Sequence, residues 1–135
     1  MTPRGRILVV DDNPDIVGLL TDVLALEGYH VHAAVGDFVL PLARAVCPDL
    51  IQLDAHMPGQ DGATVSRLLR ANPCTAAIPR VAVTADPDRR ARAAEMGAVA
   101  AVGKPFEVPA LLCCVARWAG PGTTRTASLP HTPTP

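Results

Sequence analysis

The stretch Asp49-Leu50-Ile51-Gln52-Leu53-Asp54-Ala55-His56-Met57-Pro58-Gly59-Gln60-Asp61-Gly62 decides how this chain is read. An apolar run ends on a carboxylate, and the segment after it carries Pro, Gly and Asp, which favour turns. A run of about four to eight apolar residues bounded by turn signals fits a central strand of a parallel sheet, buried on both faces. Open α/β sheets place their chemistry at the carboxyl ends of such strands. Asp54 is therefore a candidate nucleophile or metal ligand, although alone it reads equally well as a residue that merely closes the strand.

Working outward, the same device recurs. Arg6 to Val10 reads as a β-branched strand stopped by Asp11-Asp12, and Asn13-Pro14 supplies a helix cap followed by proline at the first helical position. The spacing of Ile16, Leu19, Leu20, Val23, Leu24 and Leu26 predicts a helix from Pro14 to Glu27, ended by Gly28. Tyr29 to Ala34 reads as a second strand with Val31 and Ala33 inward. Asp37 is the expected cap of a second helix through Leu40, Leu42, Ala43 and Val46, with Pro41 in its first turn. After the Leu50–Leu53 strand, Asp61-Gly62 opens a third helix to Ala71, which Asn72-Pro73 ends. A fourth strand is expected over Pro79–Thr84. Asp86-Pro87 then repeats the cap-plus-proline device before an arginine-bearing helix that stops at Gly97. Val99–Val102 reads as a fifth strand, ended by Gly103-Lys104-Pro105, and the last helix runs from Glu107 to Trp118 with Leu111, Leu112, Val115 and Trp118 inward. Five strands alternating with five helices predict a doubly wound α/β domain with right-handed crossovers. Its expected span is residues 1–119; residues 120–135, rich in Pro and Thr, are expected to form a flexible tail.

Length and charge narrow the partners. The 135 residues suit one domain, and 12 basic against 13 acidic residues, for a formal net charge of -1, give no sign of nucleic-acid or anionic-membrane binding. The short run Ile7-Leu8-Val9-Val10 is below the length of a signal-peptide core or membrane span, so a cytoplasmic protein is expected. Cys47, Cys74, Cys113 and Cys114 match neither a metal-ligand spacing nor a disulfide framework, and the adjacent pair reads as core filling. Gln52, the polar residue of the central strand, is expected to find its partners in neighbouring backbone or water.

The predicted topology brings Asp11, Asp12, Asp54, Thr84 and Lys104 to one edge of the sheet. Three carboxylates together raise one another's pKa unless a cation joins them, and Mg²⁺ accepts carboxylate, water and phosphate oxygens, with Mn²⁺ as an alternative. Lys104 is the only lysine among the 12 basic residues. Its compact charge on a flexible stem can pair with a carboxylate and then follow an arriving phosphoryl oxygen. Thr84 adds a hydroxyl. The set reads as a phosphoryl-acceptor site with an aspartate nucleophile.

The pieces Ile7-Leu8-Val9-Val10-Asp11-Asp12-Asn13, Leu53-Asp54-Ala55-His56-Met57-Pro58 through Asp61-Gly62, Val83-Thr84-Ala85 and Gly103-Lys104-Pro105-Phe106 resemble the response-regulator receiver domains of two-component signalling. The likeness covers residues 6–118. It implies a flavodoxin-like five-stranded sheet of order 2-1-3-4-5. It implies that Asp54 takes a phosphoryl group from a phosphohistidine on a sensor histidine kinase or histidine phosphotransfer protein. Asp12 and Asp54 would then ligate Mg²⁺ directly, Asp11 through water and His56 through its backbone carbonyl. Thr84 and Lys104 would hold phosphoryl oxygens, and a cis Lys104-Pro105 bond is expected.

One position departs from the pattern. Receivers commonly carry an aromatic three residues before the lysine, whose rotamer follows the threonine hydroxyl; here it is Ala101. A weaker or rerouted conformational response is expected, carried by the loop after Thr84 and the fourth helix. His56 and Asp86 flank the expected pocket and are candidates for tuning aspartyl-phosphate lifetime. Arg89, Arg90 and Arg92 read as a solvated face or as salt bridges of a dimer through the fourth and fifth helices. The leading reading is a stand-alone receiver, not an enzyme with an external substrate, acting on an unknown output protein. The alternatives are a receiver cut from a larger hybrid kinase or regulator and a phosphorylation-independent scaffold. A small acid phosphatase would need a second aspartate at position 56, where His56 stands.

Overall fold

The computed structural model describes residues 5–57 and 59–120; Pro58 and, of the expected tail at 120–135, all but Gly120 lie outside them. In chain order the elements are β1 (Arg6–Val10), α1 (Pro14–Leu26), β2 (His30–Ala33), α2 (Val39–Val46), β3 (Leu50–Asp54), α3 (Gly62–Ala71), β4 (Arg80–Thr84), α4 (Arg89–Met96), β5 (Ala100–Gly103) and α5 (Val108–Ala119). The strands form one sheet of order β2-β1-β3-β4-β5, with every pairing parallel. This is the doubly wound architecture that the alternating pattern implied.

Alternation along the strands builds two cores, one on each face of the sheet. Leu8, Val10, Ile51, Leu53 and Ala82 pack with α2, α3 and Met96 of α4. Ile7, Val9, Leu50, Val81 and Val102 pack with Leu20 and Leu24 of α1 and Leu111 and Val115 of α5. All five residues of β3 are buried, so this strand is the spine, and its last residue is Asp54. The β1 register Val10↔Leu53 and the β4 register Val83↔Asp54 then bring the strand ends out together.

Several local expectations change. Leu19 (46% exposed) and Leu26 (82%) lie outside the buried stripe of α1. At 3.6 residues per turn they fall on its flanks, while Val17 packs inward. Ala33 is exposed because β2 is an edge strand with only Val31 turned to the core. Asp37 does not cap α2: it sits inside a 3₁₀ turn, Gly36–Phe38, and Phe38 takes the cap position without a side-chain bond. Asp86 does not cap α4; Asp88 does, accepting from the Ala91 N–H at 3.1 Å. Cys113 is exposed, whereas Cys114 is half-buried and packs against the α1–α5 core, so one cysteine of the pair contributes to it. Gln52 is 1% exposed, and neither polar atom of its amide has a hydrogen-bond partner among the described residues; its register neighbours are Val9 and Val81.

At the opposite end of the sheet from Asp54, Arg80 is 6% exposed and donates to the carbonyls of Ile78 and Gly97, both at 3.1 Å. Gly97, at φ +62°, ends α4 in the left-handed conformation open to glycine. Burial and the neighbouring Arg70 charge lower the Arg80 pKa. Both arginines compensate the partial negative charge at helix C-termini.

Candidate functional site

Four strand ends deliver the site. Asp11 follows β1, Asp54 ends β3, Thr84 ends β4 and Lys104 follows β5. Asp11 and Asp54 are each 5% exposed and Thr84 is 1% exposed, whereas Asp12 is exposed. One carboxylate oxygen from each of Asp11, Asp12 and Asp54 lies within 4.8 Å of the others. Lys104 bridges the two buried acids, with Nζ 3.0 Å from Asp11 Oδ2 and 3.4 Å from Asp54 Oδ1.

Backbone groups orient these side chains. The Asn13 N–H donates to Asp11 Oδ1 at 2.9 Å, the His56 N–H donates to Asp54 Oδ1 at 3.3 Å, and the Lys104 N–H donates to the Thr84 carbonyl at 2.8 Å. The Lys104-Pro105 bond is cis, as expected. Asp61 caps α3 by accepting from the Thr64 N–H at 2.8 Å. Its neighbour Gly62 passes so close to β3 that a Cβ there would stand 2.5 Å from the Asp54 carbonyl oxygen. The Asp-Gly pair after the turn thus starts a helix and lets it press against the acid-bearing strand.

The charges are unbalanced. Burial raises the Asp54 pKa, and the Asp11 charge raises it further against the opposing effect of Lys104. Burial works to lower the Lys104 pKa, but its hydrogen bond to Asp11 and the Asp54 charge raise it overall. One ammonium pairs with two of the three clustered carboxylates, and the exposed Asp12 adds a third acid that Lys104 does not meet. Oxygen donors in that state fit a hard divalent cation.

The remaining candidates occupy distinct places. The His56 side chain is exposed. Asp86 is half-buried; its N–H donates to Thr84 Oγ1 at 3.0 Å and its Oδ1 accepts from the Asp88 N–H at 2.9 Å. Ala101 packs against the α2–α4 core and borders a groove of about 410 Å³ lined also by Arg89, Phe106, Ala110 and Cys114. Sequence reading missed that Arg92 pairs with Asp86 at 3.5 Å and with Glu95 at 2.8 Å. It also missed that Arg89 lies over Gly103, where a Cβ would be 2.8 Å from the arginine Cζ. Only the Arg92–Glu95 spacing of three residues on one helix carries a sequence signal.

Comparison with known proteins identifies the family and the fold. The profile of the response regulator receiver domain matches residues 7–116. The chain is 41% identical over 118 residues to the DNA-binding response regulator MtrA of Mycolicibacterium smegmatis, spanning 84% of this chain and 50% of that protein. It is 44% identical over 106 residues to the response regulator PleD of Caulobacter vibrioides, spanning 76% of this chain and 23% of that one. The chain therefore spans half or less of the length of these relatives. Among solved structures, a response regulator of Chloroflexus aurantiacus superposes with a TM-score of 0.79 at 32% identity, covering 87% of this chain and 98% of that one. The receiver domain of a Pseudomonas aeruginosa sensor histidine kinase, solved with a magnesium ion coordinated in its active site cleft, has a TM-score of 0.77 at 27% identity, covering 88% of this chain and 99% of that one. No helix among the described residues is long and apolar enough to cross a membrane. The chain belongs to the response regulator receiver domain family of two-component signalling.

Proposed function

We propose that Asp54 is the phosphoacceptor of a two-component relay. The observation that carries this reading is the meeting of three carboxylates with the only lysine of the chain, which spans Asp11 and Asp54. A carboxylate oxygen of Asp54 attacks the phosphorus of a phosphohistidine; the O–P bond forms as the P–N bond breaks, and the imidazole leaves with the electron pair. Lys104 meets the charge that develops on the phosphoryl oxygens, and the Thr84 hydroxyl donates to one of them. Asp12 and Asp54 would hold Mg²⁺ directly, Asp11 through water and His56 through its carbonyl, and Mn²⁺ would suit the same oxygens. When bound, the ion neutralises charge between the acids and the transferring group.

The donor in this reading is a sensor histidine kinase or a histidine phosphotransfer protein, and the readout is altered binding of an output protein in the cytoplasm. Residues 1–119 form the switching unit. The domain catalyses its own phosphorylation and slow dephosphorylation and turns over no external substrate. His56 and Asp86 set the lifetime of the aspartyl phosphate from the rim. A second copy docking through the α4–α5 face is the form of self-association to test. Ala101 supports a second reading, a scaffold whose partner binds regardless of phosphorylation.

Incubation with a small acyl phosphate and Mg²⁺ should add a single phosphoryl group to the intact mass, and Asp54→Asn or chelator should abolish it. His56→Ala and Asp86→Ala should change the decay rate severalfold. A scaffold would show no adduct and bind its partner equally well as the Asp54→Asn variant.

A further inference from the structure

Helix α4 is held differently at its two ends. At the C-terminal end the Ser66 hydroxyl donates to the Met96 carbonyl, Arg80 donates to the Gly97 carbonyl, and Met96 is buried in the core. At the N-terminal end no side chain is buried, Met96 being the one buried residue of the helix. That end is tied instead to Thr84 by polar contacts. The Asp86 N–H donates to Thr84 Oγ1, the Asp88 N–H to Asp86 Oδ1, and the Ala91 N–H to Asp88 Oδ1. Arg92 Nε stands 3.5 Å from Asp86 Oδ2, is buried, and has no hydrogen bond among the described residues. A buried guanidinium nitrogen needs compensation, and the Asp86 carboxylate supplies it.

A threonine hydroxyl has one proton and two lone pairs. The Thr84 oxygen accepts from Asp86, which leaves its O–H free to donate. Charge arriving on Asp54, one register pair away along β4, draws that donor. Turning the hydroxyl toward it carries Oγ1 away from the Asp86 N–H. On β5, Ala101 has no side-chain torsion that could follow, whereas the hydrogen bonds that begin at Thr84 run through the loop into α4.

We propose that Asp86 and Arg92 form a bracket through which the Thr84 hydroxyl sets the position of the N-terminal end of α4, with the C-terminal end as the hinge. This rests on the reading of Asp54 as the phosphoacceptor. Arg92 touches no reacting atom and is a positioning residue. Its neighbour one turn earlier, Arg89, lies over Gly103 at the rim of the 410 Å³ groove and has no ion pair among the described residues. Movement of the helix end lifts Arg89 from Gly103 and changes that rim, which gives the signal a surface to act on.

The test is amide NMR of the parent, Arg92→Gln, Arg92→Lys, Asp86→Asn and the Arg92→Gln/Asp86→Asn double variant, before and after Mg²⁺ with beryllofluoride, a tetrahedral phosphoryl analogue. Asp86→Asn keeps the oxygen that accepts from Asp88 and removes the charge that faces Arg92. In the parent, Asp54, Ala55 and Thr84 should shift, residues 88–92 should shift comparably, and residues 94–97 should shift little. In Arg92→Gln and in Asp86→Asn the site shifts should persist while those of residues 88–92 fall by about half or more. The double variant should lose no more than either single one, and Arg92→Lys should restore most of the response. A parent-like response in Arg92→Gln, or a silent α4 beside a responding site, overturns the bracket and leaves the phosphoacceptor reading standing. No shift at Asp54, Ala55 and Thr84 in the parent overturns both.

Discussion

Helices α3 and α4 both start just after a strand that feeds the site, yet they are built for different work. Helix α3 buries Gly62, Ala63, Val65, Ser66 and Leu69, while α4 buries Met96 alone. The first is a fixed wall behind Asp54, pressed so close that only glycine fits at its start. The second is a polar, arginine-rich rod whose attachment at the site end is made of hydrogen bonds and one loose ion pair. Low local burial is where a domain opens at least cost. On the proposed reading both are needed, because a phosphoacceptor must be held still while the surface that reports on it moves.

The largest expected break of this contrast is in the wall. Leu69 is fully buried, so Leu69→Ala should cost about 2–5 kcal/mol in denaturant unfolding, a large share of the roughly 5–15 kcal/mol that holds a domain of this size together. Arg90→Ala, at an exposed position on α4, should stay within about 0.5 kcal/mol. Equal costs would erase the distinction between the two helices.

A smaller effect separates the caps. Asp61 and Asp88 make the same bond, each accepting from a backbone N–H three residues on. Losing a cap costs about 1 kcal/mol. Asp61→Ala should approach that figure because α3 unfolds with the core, whereas Asp88→Ala should cost less globally and mainly speed hydrogen exchange in α4. The Thr64 N–H holds the Asp61 carboxyl below its ordinary pKa of 3.8. Its contribution is therefore fully present above that value and lost as the pH falls through the lowered one. The stability difference between parent and Asp61→Ala should shrink over that acid range and stay flat toward neutrality.

The same contrast explains what could be read from sequence. The spine and wall were legible because they rest on local rules: an apolar run ending at Asp54, a cap at Asp61, and glycine where the helix meets the strand. The convergence of Asp11, Asp12, Asp54, Thr84 and Lys104 followed from parallel topology alone. The polar α4 half was less legible. Asp86-Pro87-Asp88 offers two candidate caps in succession, and the loop uses the first to brace the turn and the second to start the helix. The Arg92–Asp86 pair joins a helix to the loop before it, outside the three- and four-residue spacings that betray contacts within a helix. Arg89 over Gly103 is a contact between an exposed helix and an outer strand, with no periodic signal.

The most direct measurement is chemical mapping of the acceptor. After reaction with a small acyl phosphate and Mg²⁺, borohydride reduces an aspartyl phosphate to the alcohol, which leaves homoserine at the acceptor and releases phosphate, and peptide masses locate it. The account predicts homoserine at position 54 alone, absent with chelator. Homoserine at Asp11 or Asp12, or a phosphoryl adduct that gives none, would contradict it.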